Sequence, residues 1–250
     1  MRTPFPGFDL NPIARLRQAL PLWYSGPSQT AEEADVQSVL VANPKGGSGK
    51  STLATNLAGY YAARGKRVML GDVDRQQSSL GWLAQRDAAL PSIAGWEVKA
   101  GEAARPPKGT EVVVLDSAAG LHGKKLAALV SRVERILVPI QPSPFDMWAS
   151  EAFFEQLLEE KAIRKNKAFM AVVGMRVDPR TRSARELEKF LAEHQVPVLT
   201  WLRDTQLYVQ AASSGLSLFD LPPSRAQRDR EAWQPLLNWL GEEDGSWCDK

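Results

Sequence analysis

The segment "VANPKGGSGKST", residues 41–52, constrains the fold more than any other part of the chain. Its residues Gly49, Lys50 and Ser51 match the end of the phosphate-binding loop pattern G-x-x-x-x-G-K-[ST], whereas Pro44 stands in place of the first glycine. A strand is predicted directly before this loop and a helix directly after it. Because such a loop points its backbone N–H groups at phosphate oxygens, the sequence predicts a nucleotide-binding α/β domain.

The residue types of the loop suit the phosphates of ATP. Lys50 is the cation expected on the β- and γ-phosphates, and the Ser51 hydroxyl is a ligand type for Mg²⁺. The predicted nucleotide contacts in the loop are Lys45, Gly46, Gly47, Ser48, Gly49, Lys50, Ser51 and Thr52. A structural glycine-rich turn is the alternative, but strand, loop, lysine, serine and helix coincide here. Lys45 is a second lysine, which one ATP does not need.

Apolar runs alternate with helical patterns along the chain. The predicted strands span 36–43, 66–74, 96–100, 110–118, 135–140, 167–175 and 196–202, and the predicted helices span 50–65, 122–133, 146–163, 182–194, 205–213 and 226–240. Strands that alternate with helices of about 10–15 residues form βαβ units. We therefore predict a P-loop NTPase of the α/β class, with a mostly parallel, twisted sheet flanked by helices on both faces.

Three aspartates lie at the ends of predicted strands: Asp72, Asp74 and Asp116. Ligands of a parallel sheet bind beyond the carboxyl ends of its strands, so these side chains are expected beside the loop. A carboxylate there can hold Mg²⁺ or orient the water that attacks the γ-phosphate. The predicted metal site comprises Ser51, Asp72 and Asp116. In the alternative interpretation the aspartates only end strands or begin helices, and for Asp72 the two interpretations are equally favoured.

Composition limits the partners. The net charge is only +2, so contact with DNA requires a local cluster of basic residues. The single cysteine, Cys248, cannot form an internal disulfide or a metal site alone, as expected in a reducing cytoplasm. No apolar run approaches the ~20 residues of a membrane span, and the N-terminus lacks the apolar stretch of a signal peptide. We therefore expect a soluble, cytoplasmic protein.

The loop "PKGGSGKST" resembles the deviant Walker A motif of the ParA/MinD ATPase family, x-K-G-G-x-G-K-[ST]. The segment "DVDRQQSSLGW", residues 72–82, is similar to the D-x-D-P-Q switch I of that family, although Arg75 replaces the usual proline. The segment "LDSAAGL", residues 115–121, is similar to its Walker B and switch II. Two later segments, 139–150 and 203–220, resemble blocks of the short, ParF-like partition ATPases.

This resemblance covers most of residues 36–240 and implies a domain organisation. Residues 36–250 are expected to be a ParA-type P-loop ATPase domain, and residues 1–35 an N-terminal extension. Within the extension, apolar residues fall on one face of a predicted short helix, "NPIARLRQAL". That face indicates either packing against the core or the dimer, or docking of a partner.

The resemblance also implies an activity. Such proteins are Mg²⁺-dependent ATPases that form a nucleotide-sandwich homodimer with ATP, bind DNA without sequence preference, and are stimulated by a partner. The partner would be a ParB- or ParG-like protein or a cargo adaptor. Repeated cycles would position a plasmid, a chromosome or a protein organelle on the nucleoid.

The family match also assigns roles to residues. Lys45 would reach the phosphates of the other subunit, Lys50 would bind those of its own, and Asp74 would orient the water. Met175 and Arg176 are further nucleotide contacts on this match, beside Asp116.

Matching the C-terminal segments to ParA proteins indicates three DNA contacts: Arg203, Arg225 and Arg228. A second arginine cluster lies within residues 180–185. Non-specific DNA binding depends on lysine and arginine side chains that neutralise phosphates. For any single arginine, solvated charge on a helix surface is an equally favoured alternative.

A MinD-like membrane-associated ATPase is the main alternative function. An apolar stripe on the last predicted helix could enter a bilayer, and it consists of Trp233, Leu236, Leu237 and Leu240. Such a stripe more often packs onto the sheet, and the acidic tail after it would be repelled by anionic lipid, so membrane binding is not favoured. The single cysteine disfavours the iron–sulfur site of nitrogenase-like proteins. An ATP-dependent ligase stays open, although the sequence shows no second catalytic constellation.

Overall fold

The seven strands of the protein form one parallel sheet, in a computed structural model that describes residues 36–97, 106 and 108–241. The predicted N-terminal extension and Cys248 lie outside these residues. The strands are β1 (Gln37–Val41), β2 (Val68–Asp72), β3 (Ile93–Glu97), β4 (Val112–Asp116), β5 (Arg135–Ile140), β6 (Phe169–Gly174) and β7 (Val198–Trp201). Their order across the sheet is β3-β2-β4-β1-β5-β6-β7, and each neighbouring pair is parallel.

Helices connect and cover the strands. They are α1 (Lys50–Ala63), α2 (Ser78–Ala84), α3 (Gly123–Val130), α4 (Pro144–Glu159), α5 (Lys161–Arg164), α6 (Arg182–Glu193), α7 (Gln206–Ala212) and α8 (Pro223–Trp239), with a 3-10 turn at Leu218–Asp220. Helices α1 and α8 pack in one apolar core, and α3, α4 and α6 pack in another. The sheet therefore lies between two helical layers, as predicted.

The strands form where apolar runs can be buried on both faces of the sheet. In β1, Val39 and Val41 belong to the core that contains α1, whereas Leu40 belongs to the core that contains α4. All five residues of β2 and all five of β4 are buried. Successive strand side chains point to opposite faces, so an unbroken apolar run is what a sheet covered on both sides requires.

Most predicted elements are confirmed, and the differences have local causes. Strand β3 lies at Ile93–Glu97 instead of 96–100. The helix predicted over 146–163 ends at Glu159, since Glu160 has an extended backbone (φ −63°, ψ 132°), and a separate short helix follows. Helix α2 and the 3-10 turn were not predicted. Seven and three residues are too few to show a clear helical period.

The apolar stripe of the last helix faces the interior. Trp233, Leu236, Leu237 and Leu240 are each at most 4% exposed and belong to the core that contains α1. The packing interpretation of this stripe is therefore confirmed. Among the residues that the structure describes, no helix combines the length and the apolar character needed to cross a membrane.

Candidate nucleotide-binding site

The predicted phosphate loop connects β1 to α1 and has the backbone of a phosphate-binding loop. Gly47 and Gly49 adopt φ angles of 78° and 101°, which L side chains rarely adopt. A Cβ on Gly49 would also lie 2.9 Å from the Cε of Met175. Glycine is thus required at Gly49 by the backbone conformation, and the loop leads directly into the N-terminus of α1 at Lys50.

Lys50 is held at the centre of the loop. Its Nζ donates a hydrogen bond to the Lys45 carbonyl oxygen at 2.8 Å, which bends the side chain back over the loop. Burial lowers the pKa of Lys50, while the carboxylates of Asp116 and Asp74 act to raise it. Lys50 is thus a mostly buried cation between the loop and two acidic residues. An anion bound in the loop could replace the Lys45 carbonyl oxygen as the partner of its ammonium.

Lys45 is tied to its own subunit. Its backbone N–H donates to Asn43 Oδ1 at 2.8 Å, and the Asn43 amide in turn donates to the Pro139 carbonyl at 2.8 Å. The Lys45 ammonium forms an ion pair with Asp146 at the start of α4. The lysine side chain is 34% exposed and the aspartate side chain only 3%, so Lys45 closes over a buried carboxylate.

Asp116 is the last residue of β4, at the carboxyl edge of the sheet. Its backbone is paired with Val41 of β1 on one side and Asp72 of β2 on the other, so the register places it beside the loop. Burial raises the pKa of Asp116 to about 6, although a hydrogen bond from Ser79 opposes this shift. Its Oδ2 accepts that bond at 2.5 Å, and its buried Oδ1 has no hydrogen-bond partner among the described residues.

These atoms fit a magnesium ion. A buried carboxylate oxygen without a donor is costly unless a cation or a water meets it. Carboxylate and hydroxyl oxygens are the ligands that Mg²⁺ uses. Asp116 and Ser51 supply one of each, and the Ser51 hydroxyl is near enough to Asp116 to lower the pKa of that carboxyl. Asp116 and Ser51 are therefore the residues that could hold the ion.

Asp72 has a different environment. Its Oδ1 accepts from the Asp74 N–H at 2.9 Å, and its Oδ2 accepts from the Ser79 N–H at 2.9 Å and the Leu80 N–H at 3.4 Å. Burial raises its pKa, and these three N–H donors oppose the rise. Asp72 thus binds the first turn of α2, which is the helix-beginning role considered as its alternative.

Asp74 lies in the switch I segment (72–82) between β2 and α2, and it is half-buried. One carboxylate oxygen accepts from the Gln76 N–H at 3.0 Å. Its carboxylate acts to raise the pKa of Lys50, so the two side chains interact electrostatically.

Met175 and Arg176 follow β6 beyond its carboxyl end. Met175 is buried against Gly49 and supports the loop by packing. Arg176 has a positive φ of 53°, and its side chain is largely exposed, 3.9 Å from a carboxylate oxygen of Asp204. The structure therefore brings Met175 to the loop, whereas the Arg176 side chain is open to solvent.

The three arginines predicted to contact DNA lie together near α8. Arg203 makes a bidentate ion pair with the buried Asp229 of that helix, at 2.7 and 2.8 Å. Arg225 and Arg228 are exposed and three residues apart, hence on one side of α8. In the second cluster, Arg180 pairs with Asp178 and Arg182 with Glu186.

Comparison with known proteins agrees with this geometry. Residues 39–218 match the model of the CobQ/CobB/MinD/ParA nucleotide-binding domain. The match covers the loop, both switch segments, the end of β1 and all of β2 to β7. The chain belongs to this family. It is a ParA/MinD-type P-loop ATPase.

Relatives of this ATPase include proteins named for positioning and for partition. The chain is 32% identical to the "Maintenance of carboxysome distribution protein A" of Gloeobacter kilaueensis, over 84% of this chain and 94% of that protein. It is 29% identical to the chromosome-partitioning ATPase Soj of Thermus thermophilus, over 67% and 80% of the two chains. A solved structure of a Cyanothece McdA variant in complex with ATP has a TM-score of 0.65 at 13% identity, covering 84% and 98%, which shows a shared fold.

Sequence reasoning missed two residues of the ATPase site. Ser79 contacts Asp72 and Asp116, but it lies on α2, a helix that the sequence did not predict. Asp146 pairs with Lys45 from 101 positions away. The only signal for Asp146 was its place in the segment 139–150 that resembles partition ATPases.

Proposed function

We propose that this ATPase positions an intracellular cargo through ATP-gated dimerisation on DNA. The observation that carries the proposal is Lys45, a second lysine at a phosphate loop that already has Lys50. The Lys45 ammonium is paired with Asp146, whereas the Lys50 ammonium is held over the loop. A cation that one site does not need is explained if it completes the site of a second subunit.

Within one subunit, the loop N–H groups and Lys50 bind the phosphates, helped by the partial positive charge of the α1 N-terminus. When bound, Mg²⁺ would neutralise charge on the β- and γ-phosphates. Ser51 and Asp116 hold that ion in this proposal. Asp74 orients the attacking water from the switch I segment, and Asp72 keeps the segment in place through the start of α2.

The proposed DNA surface centres on Arg225 and Arg228, which are exposed on one side of α8. Arg203 supports this surface, because its pair with Asp229 ties the end of β7 to α8. Each arginine that neutralises a phosphate releases a counterion, so binding should weaken steeply with salt.

The names of the relatives support two cargo classes. The Gloeobacter relative is named for carboxysome distribution, and a protein compartment of this kind is the cargo we favour. Soj is named for chromosome partitioning, which makes DNA cargo the alternative. In either case a cargo-bound partner protein would stimulate hydrolysis and release the ATPase from DNA, and the protein would be cytoplasmic and nucleoid-associated.

The proposal is tested by binding to non-specific duplex DNA at two salt concentrations. Wild type and Lys45→Ala are compared without nucleotide, with ADP and with ATP and Mg²⁺. Salt-sensitive binding only with ATP, lost in Lys45→Ala, supports the proposal. An exposed lysine variant, Lys189→Ala on α6, serves as the control for general loss of charge.

A MinD-like membrane function is the outcome that would replace it. If no nucleotide promotes DNA binding, ATP-dependent sedimentation with anionic liposomes is measured next. The buried stripe on α8 disfavours that outcome, because its apolar residues would have to leave the core to reach lipid.

A further inference from the structure

Ser79 joins two buried aspartates of the site, Asp72 and Asp116. It is fully buried at the start of α2, at 0% exposure. Its hydroxyl donates to Asp116 Oδ2 at 2.5 Å, and its backbone N–H donates to Asp72 Oδ2 at 2.9 Å. One residue therefore binds a carboxylate from each of the adjacent strands β2 and β4.

This double contact leaves one oxygen of Asp116 available. Ser79 occupies Oδ2, while the buried Oδ1 has no hydrogen-bond partner in the described part of the chain. A carboxylate held by a donor at one oxygen cannot rotate without breaking that bond. The Ser79 hydroxyl thereby fixes which oxygen of Asp116 stays free for a cation.

The C-terminal end of helix α2 is bound to another part of the protein, which holds Ser79 in position. The Trp82 indole N–H donates to the Leu216 carbonyl at 3.2 Å. The Arg86 guanidinium, just beyond the helix, makes a bidentate pair with Asp220 at 2.8 Å for both bonds. These contacts tie α2 to the segment before α8, and Ser79 is held between this segment and the sheet.

We propose that Ser79 is a positioning residue for Mg²⁺: it orients Asp116 for the ion and links formation of the metal site to the docking of α2. The inference rests on the proposed role of Asp116 in holding Mg²⁺. Donors that hold a metal-binding carboxylate commonly change metal affinity by roughly 10- to 100-fold when they are removed. Loop N–H groups and Lys50 do not depend on Ser79, so binding of nucleotide without metal is left intact.

The test separates metal affinity from nucleotide binding. A fluorescent ATP analogue is bound to Ser79→Ala in EDTA and then over a Mg²⁺ titration at constant ionic strength. We expect unchanged affinity in EDTA and a roughly 10- to 100-fold rise in the Mg²⁺ concentration at half-effect. The neighbouring, exposed Ser78 supplies the matched control, Ser78→Ala, which should titrate like wild type.

A second variant covers the case in which Ser79→Ala does not fold. Ser79→Cys keeps a side chain of similar size but donates poorly, and we expect the same direction of change. A Mg²⁺ dependence within twofold of wild type in a folded Ser79 variant overturns the inference and leaves ATP binding intact. Failure of the wild type itself to bind the analogue at any Mg²⁺ concentration would instead overturn the proposed function.

Discussion

The ammonium of Lys45 is bound to Asp146, a carboxylate from the start of α4 that is buried beneath it. The pair links the phosphate loop to the helix after β5 within one subunit. In the proposed dimer, Lys45 must leave this partner to reach the second subunit, and Asp146 would then be buried without a counter-charge. The pair is thus expected to oppose dimerisation.

Asp146→Asn should therefore favour the dimer. The change keeps the shape of the side chain but removes its charge, so Lys45 leaves at a lower cost. Because the lysine is partly exposed, the gain should be modest, roughly 2- to 5-fold in the dimerisation constant. Analytical ultracentrifugation with a non-hydrolysable ATP analogue measures it. Weaker dimerisation of Asp146→Asn would show that Asp146 supports the dimer instead, and Lys45→Ala gives the baseline without dimer.

Asp74→Ala should separate binding from turnover. If Asp74 orients the attacking water, hydrolysis falls by roughly 100-fold or more, whereas ATP binding and dimerisation persist. Phosphate release and sedimentation are measured on the same preparations. Asp87→Asn, at an exposed position after α2, is the control. A hydrolysis rate equal to wild type would remove Asp74 from the mechanism.

Asp116→Asn should stabilise the protein in the absence of nucleotide and metal. The folded-state pKa of about 6 lies above the ordinary value of 3.8, so burial of the ionised carboxylate opposes folding increasingly from about pH 4 to 6 and fully above that range. This penalty is absent below about pH 4, where the group is protonated in both states.

The gain in unfolding free energy should reach about 3 kcal/mol near pH 7–8 and shrink as the pH falls from 6 to 4, since one pKa unit is worth about 1.4 kcal/mol. Urea unfolding of both proteins at several pH values measures this difference. A constant difference across that range would contradict the assigned cause.

Arg86→Ala should destabilise the fold strongly. The Arg86 and Asp220 side chains are 4% and 2% exposed, and the variant leaves the carboxylate buried without its partner, which typically costs about 3–5 kcal/mol. Urea unfolding checks the loss. Arg182→Ala, which breaks an exposed pair on α6, should cost less than about 1 kcal/mol. Equal effects of the two variants would be evidence against the anchoring role of Arg86.

Two helical glycines should respond in opposite ways to alanine. A Cβ on Gly59 of α1 would lie 2.2 Å from Ser217 Oγ, so Gly59→Ala should cost about 1–3 kcal/mol by overpacking. Gly81 of α2 has open space around its Cα, and Gly81→Ala should gain about 0.5–1 kcal/mol from helix propensity. Thermal unfolding of both variants tests the contact between α1 and Ser217.

Local patterns in the sequence were enough to predict the phosphate loop, the order of strands and helices, and the parallel sheet. These features depend on local patterns: glycines before a lysine and a serine, and apolar runs such as Val112–Leu115 that suit only a strand buried on both faces. The aspartates at strand ends followed from the same pattern, since parallel strands end at one edge of the sheet.

The side-chain partners of these residues, by contrast, depend on the tertiary structure. Asp146 meets Lys45 from 101 positions away, and Ser79 meets Asp116 from 37 positions away. Asp72, for which the sequence left two roles equally favoured, is bound to the start of α2. No local period encodes such pairs, because they depend on the register of β2, β4 and β1 and on the docking of helices against them. Burial also depends on the tertiary structure, and it raises the pKa of Asp116.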